Sequence, residues 1–203
     1  MLETDPPEHD RARAVLNRVL SPAAMKRLRE GFAAAVDELV EHERSGVEIV
    51  AVPEAYSFDA VSQLGFVAAR TTRMELTSGI VQLYSRTPTL TAMTAAGLDY
   101  VSGGRFSLGL GASGPQVVEG WYGMPFRKPL ARTREYVEIV RMALARKTVR
   151  SEGREYEIPL EGAKPLKLLA KPVQERIPVY LGAVGPRAVE QVGEIADGWL
   201  PFM

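Results

Sequence analysis

Cysteine is absent from the 203 residues of this chain, which excludes disulfides, a thiolate nucleophile and any cysteine-based zinc site. Histidine is almost absent: His9 lies in a polar N-terminal stretch and His42 in the charged run Glu41-His42-Glu43-Arg44. Neither has a metal-ligand spacing, so no metal site is expected. Neither sign of charge is in excess, with 25 Lys and Arg against 25 Asp and Glu. That balance argues against nucleic acid or an anionic membrane as partner, both of which favour a basic surface. No apolar run approaches the ~20 residues that span a bilayer. The acidic, polar opening residues are unlike a signal peptide, so the chain reads as cytoplasmic. A chain so poor in reactive side chains, if it is an enzyme, takes its chemistry from a bound cofactor.

What the sequence does hold is an alternation of short apolar runs and longer amphipathic stretches. Residues 1–20 read as a flexible tail and 21–203 as one domain. Ser21 and Pro22 suit the N-cap and first turn of a helix whose apolar positions Met25, Leu28, Phe32, Val36, Leu39 and Val40 keep helical spacing until Ser45-Gly46. Strands are predicted at 47–52, 74–80, 105–110, 177–181 and 199–202. Helices are predicted at 58–71, from Thr87-Pro88 to 101, at 129–146 and from Pro186, and a hairpin over 148–158 turns at Glu152-Gly153. Strand, helix, strand, helix implies a parallel sheet, and in such sheets ligands sit beyond the carboxyl ends of the strands.

One of those ends carries Gly109-Leu110-Gly111-Ala112-Ser113-Gly114, which matches the G-x-G-x-x-G pattern of a dinucleotide turn. Three features oppose that reading. Pro115, Gly120, Gly123 and Pro125 interrupt the helix that should start within the motif. A charged helix from Pro129 stands where a second strand with an acidic end is required. The motif also follows at least two strand–helix units rather than the first strand. The alternatives are glycines that let the backbone approach a flat ring closely, and a plain tight turn.

The same region resembles the signature of the luciferase-like monooxygenase superfamily. It runs from Ser102-Gly103-Gly104-Arg105-Phe106 through Gly109-Leu110-Gly111-Ala112-Ser113-Gly114-Pro115-Gln116-Val117 to Trp121. Supporting segments follow in family order: Thr77-Ser78-Gly79-Ile80 with Tyr84-Ser85-Arg86-Thr87-Pro88, then Lys128-Pro129-Leu130-Ala131-Arg132-Thr133, and Tyr180-Leu181-Gly182-Ala183-Val184-Gly185-Pro186 with Asp197-Gly198-Trp199. More narrowly, the chain is similar to the branch that uses coenzyme F420, a deazaflavin, with FMN as the alternative cofactor.

The resemblance implies an α/β fold of the (β/α)8 TIM-barrel type, with the cofactor ring at its carboxyl mouth. It implies a cis peptide at Gly79–Ile80, in a bulge with Ser78 that backs the ring. Glu54 and Ala55 then face the reactive centre, where Glu54 either positions substrate and relays a proton or simply accepts loop N–H groups. Gln82 contacts the ring or its ribityl chain. Gly111, Gly114, Pro115, Gln116 and Val117 lie beside the ring, and Ala183, Val184, Gly185 and Pro186 hold its phosphate end. Trp121 and Tyr122 wall a substrate pocket or merely pack, and Arg86 and Arg105 meet anionic groups of the cofactor or form structural pairs.

The implied reaction is hydride transfer between a small organic substrate and F420. The alternatives are an FMN-dependent monooxygenase, an NAD(P) enzyme, and a binding module without turnover. Against the family pattern, no opening strand is legible in 1–32, and the chain stops as the sixth strand forms, whereas a full barrel takes typically ~250 residues. About strands 2 to 6 are therefore expected, with two open sheet edges: either the chain is a truncated product, or a partner, expected to be a second copy in a homodimer, covers them.

Overall fold

Proline, glycine and short polar residues punctuate this chain, and each element starts or stops at one of them. The computed structural model describes residues 22–56 and 58–201, within two compact units, 1–46 and 47–203. The tail expected over 1–20 lies outside the described residues. In the first unit α1 (Pro22–Arg44) opens on the expected proline. It stops where Gly46 takes φ +102°, a conformation that suits glycine.

The second unit alternates as read. Its elements are β1 (Ile49–Val52), α2 (Ala60–Ala68), β2 (Glu75–Ser78), β3 (Val81–Gln82), α3 (Pro88–Ser102), β4 (Phe106–Gly111), α4 (Pro115–Gly120), α5 (Pro129–Leu144), β5 (Ser151–Glu152), β6 (Glu157–Ile158), β7 (Val179–Ala183), α6 (Pro186–Ile195) and β8 (Gly198–Pro201). Helix starts follow local chemistry. The Asp59 carboxylate accepts the Ser62 N–H at 2.8 Å to cap α2, and Thr87 Oγ1 accepts the Leu90 N–H at 3.3 Å to cap α3. Two expectations change. Strand 74–80 divides into β2 and β3 at Gly79–Ile80, whose peptide is cis as the resemblance implied. A helix, α4, does start at the glycine motif, because proline at a first helical position opens a helix rather than breaking it.

The strands form one parallel sheet in the order β1-β2-β4-β7-β8, with β3 beside β4. This is an incomplete (β/α) barrel. β5 and β6 make the predicted antiparallel hairpin, with the turn falling at 153–156 rather than at Glu152-Gly153. The Glu135 carboxylate fixes that turn by accepting the N–H groups of Arg154, Glu155 and Tyr156 at 2.8–3.0 Å.

Large and small residues alternate along β4. Phe106, Leu108 and Leu110 are buried, while Ser107, Gly109 and Gly111 lie on the opposite face of the strand. α3 packs against β4, α2 and α5, and the Tyr136 hydroxyl of α5 meets Thr91 Oγ1 at 2.5 Å and donates to the Arg86 carbonyl at 3.1 Å.

At the amino end of β4, Arg105 bonds the carbonyls of Ala68, Thr71, Met74 and Ser102. It therefore latches the bottom of the sheet, and of its two readings the structural one applies, since the rim is at the other end of the strand. Asp99 makes a comparable anchor. It is fully buried on α3, and its carboxylate accepts the Val173 N–H at 2.6 Å, the Gln174 N–H at 3.1 Å and Gln174 Nε2–H at 2.8 Å. Asp99→Ala leaves these donors without an acceptor, and a stability loss of about 3 kcal/mol is expected. Urea denaturation measures it; an unchanged midpoint would show that this loop does not depend on the carboxylate.

Candidate active site

Because the strands are parallel, their carboxyl ends open on one rim. Glu54 follows β1, Ile80 follows β2, Gly114 follows β4 and Gly185 follows β7, so all four stand on that rim. The floor of its largest feature is glycine. Gly111 and Gly182 are register partners on β4 and β7. A Cβ on Gly111 would come within 2.6 Å of Ile80 Cδ1, and one on Gly182 within 3.2 Å of Ile80 Cγ2. Only the missing side chains let Ile80 lie across both strands.

Beside Ile80 is a cavity of about 450 Å³, walled by the loop 112–114, by Ala183 and Val184, and by α5 and α6. The loop turns through Ser113 at φ +59°, a left-handed conformation uncommon for serine. Five of the expected residues line this cavity: Ile80, Gly111, Gly114, Ala183 and Val184. Others on the wall were not foreseen, chiefly Phe126 and, from the two helices, Leu130, Thr133, Ala188, Gln191 and Val192. Their three- and four-residue spacing marks one face of each helix, but spacing cannot say which face meets the rim.

The remaining expected residues take other positions. Pro115, Gln116 and Val117 form the first turn of α4, and Gly185 and Pro186 open α6, where a helix N-terminus favours an anion. Ser78 is fully buried: its hydroxyl donates to the Gly109 carbonyl at 2.9 Å and accepts the Gly109 N–H at 3.0 Å, so it joins β2 to β4. Gly79 sits close against Ala51, 3.2 Å from where its Cβ would be.

Glu54 is held as an acceptor. Its Oε2 takes the Ala60 N–H at 3.1 Å, and its Oε1 meets Arg86 Nη1 at 2.5 Å. Arg86 Nη2 reaches Asp59 Oδ1 at 2.6 Å. Burial opposes the guanidinium charge, but the Glu54 and Asp59 carboxylates outweigh it and hold the Arg86 pKa above its ordinary value. The structural-pair reading of Arg86 therefore applies. Glu54, Ala55 and Arg86 line a second rim cavity of about 380 Å³ together with Trp121 and Tyr122.

Gln82 stands between the two cavities. Its Nε2–H donates to the Glu54 carbonyl at 3.0 Å, while its register partner Gly111 floors the first cavity. The side chain is buried, yet Oε1 has no hydrogen-bond partner. Such an orphaned acceptor calls for a donor, which a ligand N–H or O–H would provide. A glycine floor and mainly apolar walls fit a flat ring system.

The fold and the rim thus define a parallel β/α-barrel protein with two cavities at the carboxyl ends of its strands. The chain belongs to the luciferase-like monooxygenase family, which it matches over residues 14–203. It is 49% identical over 167 residues to a Mycobacterium tuberculosis protein that carries the provisional name coenzyme F420-dependent oxidoreductase Rv3520c, covering 79% of this chain and 48% of that protein. It is 36% identical over 159 residues to the 5,10-methylenetetrahydromethanopterin reductase of Archaeoglobus fulgidus, covering 78% of this chain and 46% of that enzyme.

Among solved structures, the coenzyme F420-dependent tetrahydromethanopterin reductase of Methanopyrus kandleri superposes with a TM-score of 0.75 at 27% identity, over 84% of this chain and 52% of that one. The chain spans about half the length of the curated relatives it matches. Among the described residues, no helix is long and apolar enough to cross a membrane, and no group of His, Cys, Asp or Glu could hold a metal ion.

Proposed function

We propose that this chain carries the cofactor rim of an oxidoreductase that moves a hydride between a small organic substrate and coenzyme F420. The observation that carries the reading is the Ile80 side chain spread over the Gly111–Gly182 floor, beside an apolar cavity of about 450 Å³. When bound, the deazaflavin supplies a two-electron donor or acceptor. Everything else falls to the protein. Ile80, with Gly111 and Gly182 beneath it, would support the ring, and Gln82, paired in register with Gly111, would hold that part of the rim in place. Leu181, Val192 and Phe126 keep water from the reacting face. The start of α6 favours the negative charge of a phosphate. Glu54, tied to Arg86 and to the Ala60 N–H, keeps the loop after β1 at the rim. The names of the mycobacterial and archaeal relatives support F420 over FMN.

Titrating the purified chain with F420, FMN and NADPH separates the readings. Micromolar binding of F420, and substrate-dependent bleaching of its visible absorption, is the expected result. Preference for FMN would instead indicate the monooxygenase, preference for NADPH a dinucleotide site, and no binding of any of them a module without turnover.

A further inference from the structure

The second rim cavity has walls that the hydride reading leaves unexplained. Three large aromatic residues stand open to solvent around it: Tyr56 at 67% exposure and Phe58 at 73%, from the loop after β1, and Trp121 at 66%, from the end of α4. Isolated exposed aromatics need no explanation, but three gathered on one cavity mark a surface that meets something apolar. Other exposed aromatics, Tyr100 and Trp199, lie away from this cavity, while Phe106, Tyr84 and Tyr136 are core residues.

The polar groups of this cavity are unbalanced. Two carboxylates, Glu54 and Asp59, face one guanidinium, Arg86, and the other lining residues are uncharged, which leaves a formal charge of minus one. The Arg86 charge is engaged by both acids, at 2.5 and 2.6 Å, so it does not offer an open anion site. Tyr122 lies within the same group. Burial, and the nearby Glu54 charge, push its phenol above its ordinary pKa, so it stays a neutral donor. Flat π-faces around a net negative charge attract rings, and cationic rings most of all, because the electron-rich aromatic faces and the surplus carboxylate act in the same direction. Carboxylate or phosphate substrates meet that surplus as repulsion.

We propose that this cavity is the substrate subsite, and that it takes a planar aromatic or heteroaromatic compound bearing no negative charge. The proposal rests on the hydride-transfer reading and names its substrate class. Gln82 links the two cavities: its side chain bonds the Glu54 carbonyl beside one, and its backbone pairs in register with Gly111, which lines the other. Hydride transfer needs the reacting atoms about 3–3.5 Å apart, so a substrate held by Tyr56, Phe58 and Trp121 has to reach past Gln82 to the cofactor cavity.

Binding of 2-naphthylmethylamine, 2-naphthylmethanol, 2-naphthoate and cyclohexylmethanol is measured by isothermal titration calorimetry, because naphthyl groups emit in the same range as tryptophan. The amine and the naphthyl alcohol are expected to bind at least about tenfold more tightly than cyclohexylmethanol, and the naphthoate at least about tenfold more weakly than the amine. Phe58→Leu keeps apolar area but removes the π-face, and is expected to weaken naphthyl binding about tenfold. Asp59→Asn, which neutralises one carboxylate and can still cap α2, is expected to narrow the gap between amine and naphthoate.

Equal affinity for the flat and saturated alcohols, tighter binding of the naphthoate, or indifference to Phe58→Leu in a variant with parental circular dichroism overturns the proposal. An F420 titration of the same sample is scored separately. Loss of F420 binding with the naphthyl series intact counts against the cofactor reading alone, and F420 binding without ring preference counts against the substrate class alone.

Discussion

Gly109→Ala is expected to remove most of the folding stability of this protein. Gly109 lies in the middle of β4, where an added Cβ would overlap the backbone carbonyl oxygen of Ser78 and crowd Leu200 Cδ1 at 2.9 Å. Backbone cannot yield as a flexible side chain can, so β2 and β4 would have to part. Parting them breaks the two bonds by which the Ser78 hydroxyl bridges the strands, at 2.9 and 3.0 Å. Overpacking of about 3 kcal/mol and two buried hydrogen bonds at about 1 kcal/mol each add to roughly 5 kcal/mol. That is comparable with the whole stability of many domains, about 5–15 kcal/mol. Gly97→Ala is the control. It sits inside α3 with nothing within 4 Å of its added Cβ, and alanine there should stabilise by about 0.5–1 kcal/mol. Guanidinium denaturation of both variants decides the matter. If Gly109→Ala unfolds at the parental midpoint, the strands do not approach as closely as described.

The second large effect is expected on cofactor binding. A Cβ on Gly182 would come 3.2 Å from Ile80 Cγ2, so the neighbour has only to shift by a few tenths of an ångström. Alanine at Gly182 should therefore weaken F420 binding only about tenfold, which corresponds to about 1.4 kcal/mol. Valine adds two methyl groups on the side where the ring of the proposed cofactor would rest on the floor. Its affinity loss should reach about a hundredfold, and crowding of Ile80 should also cost about 1–3 kcal/mol of stability. Binding by absorbance titration, with denaturation measured alongside, separates a blocked floor from a damaged sheet. Parental affinity in Gly182→Val would place the ring somewhere other than on this floor.

Much of the architecture was legible because it depends on neighbours in the chain. Pro88 after Thr87 and Pro186 after Gly185 mark helix starts, and the apolar runs around Leu108 and Val179 mark buried strands, whereas β1 around Val50, expected to be buried, has Ile49 and Ala51 exposed. Other misreadings and ambiguities arise where one residue type serves two purposes. Pro115 was taken to interrupt a helix and instead opens α4. Residue type alone leaves Arg86 and Arg105 two fates, an anion contact or a structural pair, and both take the second. One is paired with Glu54 and Asp59, and the other latches carbonyls at the far end of β4. Apart from the Ser102 carbonyl beside Arg105, the acceptors lie about thirty positions away, so the local sequence does not distinguish those fates.

The amino-acid order by itself determined the alternation of strands and helices, the parallel sheet that follows from it, and the carboxyl rim as the place for a ligand. These depend on periodicity and on the conformational limits of proline and glycine, which act locally. Only the tertiary structure decided that Gly111 and Gly182 meet beneath Ile80, that α5 and α6 turn Thr133 and Gln191 toward the cavity, and that Tyr56, Phe58 and Trp121 converge on a second one. Such contacts join residues tens to more than a hundred positions apart. They are set by how twisted strands and helices pack in three dimensions, which no short window of sequence encodes.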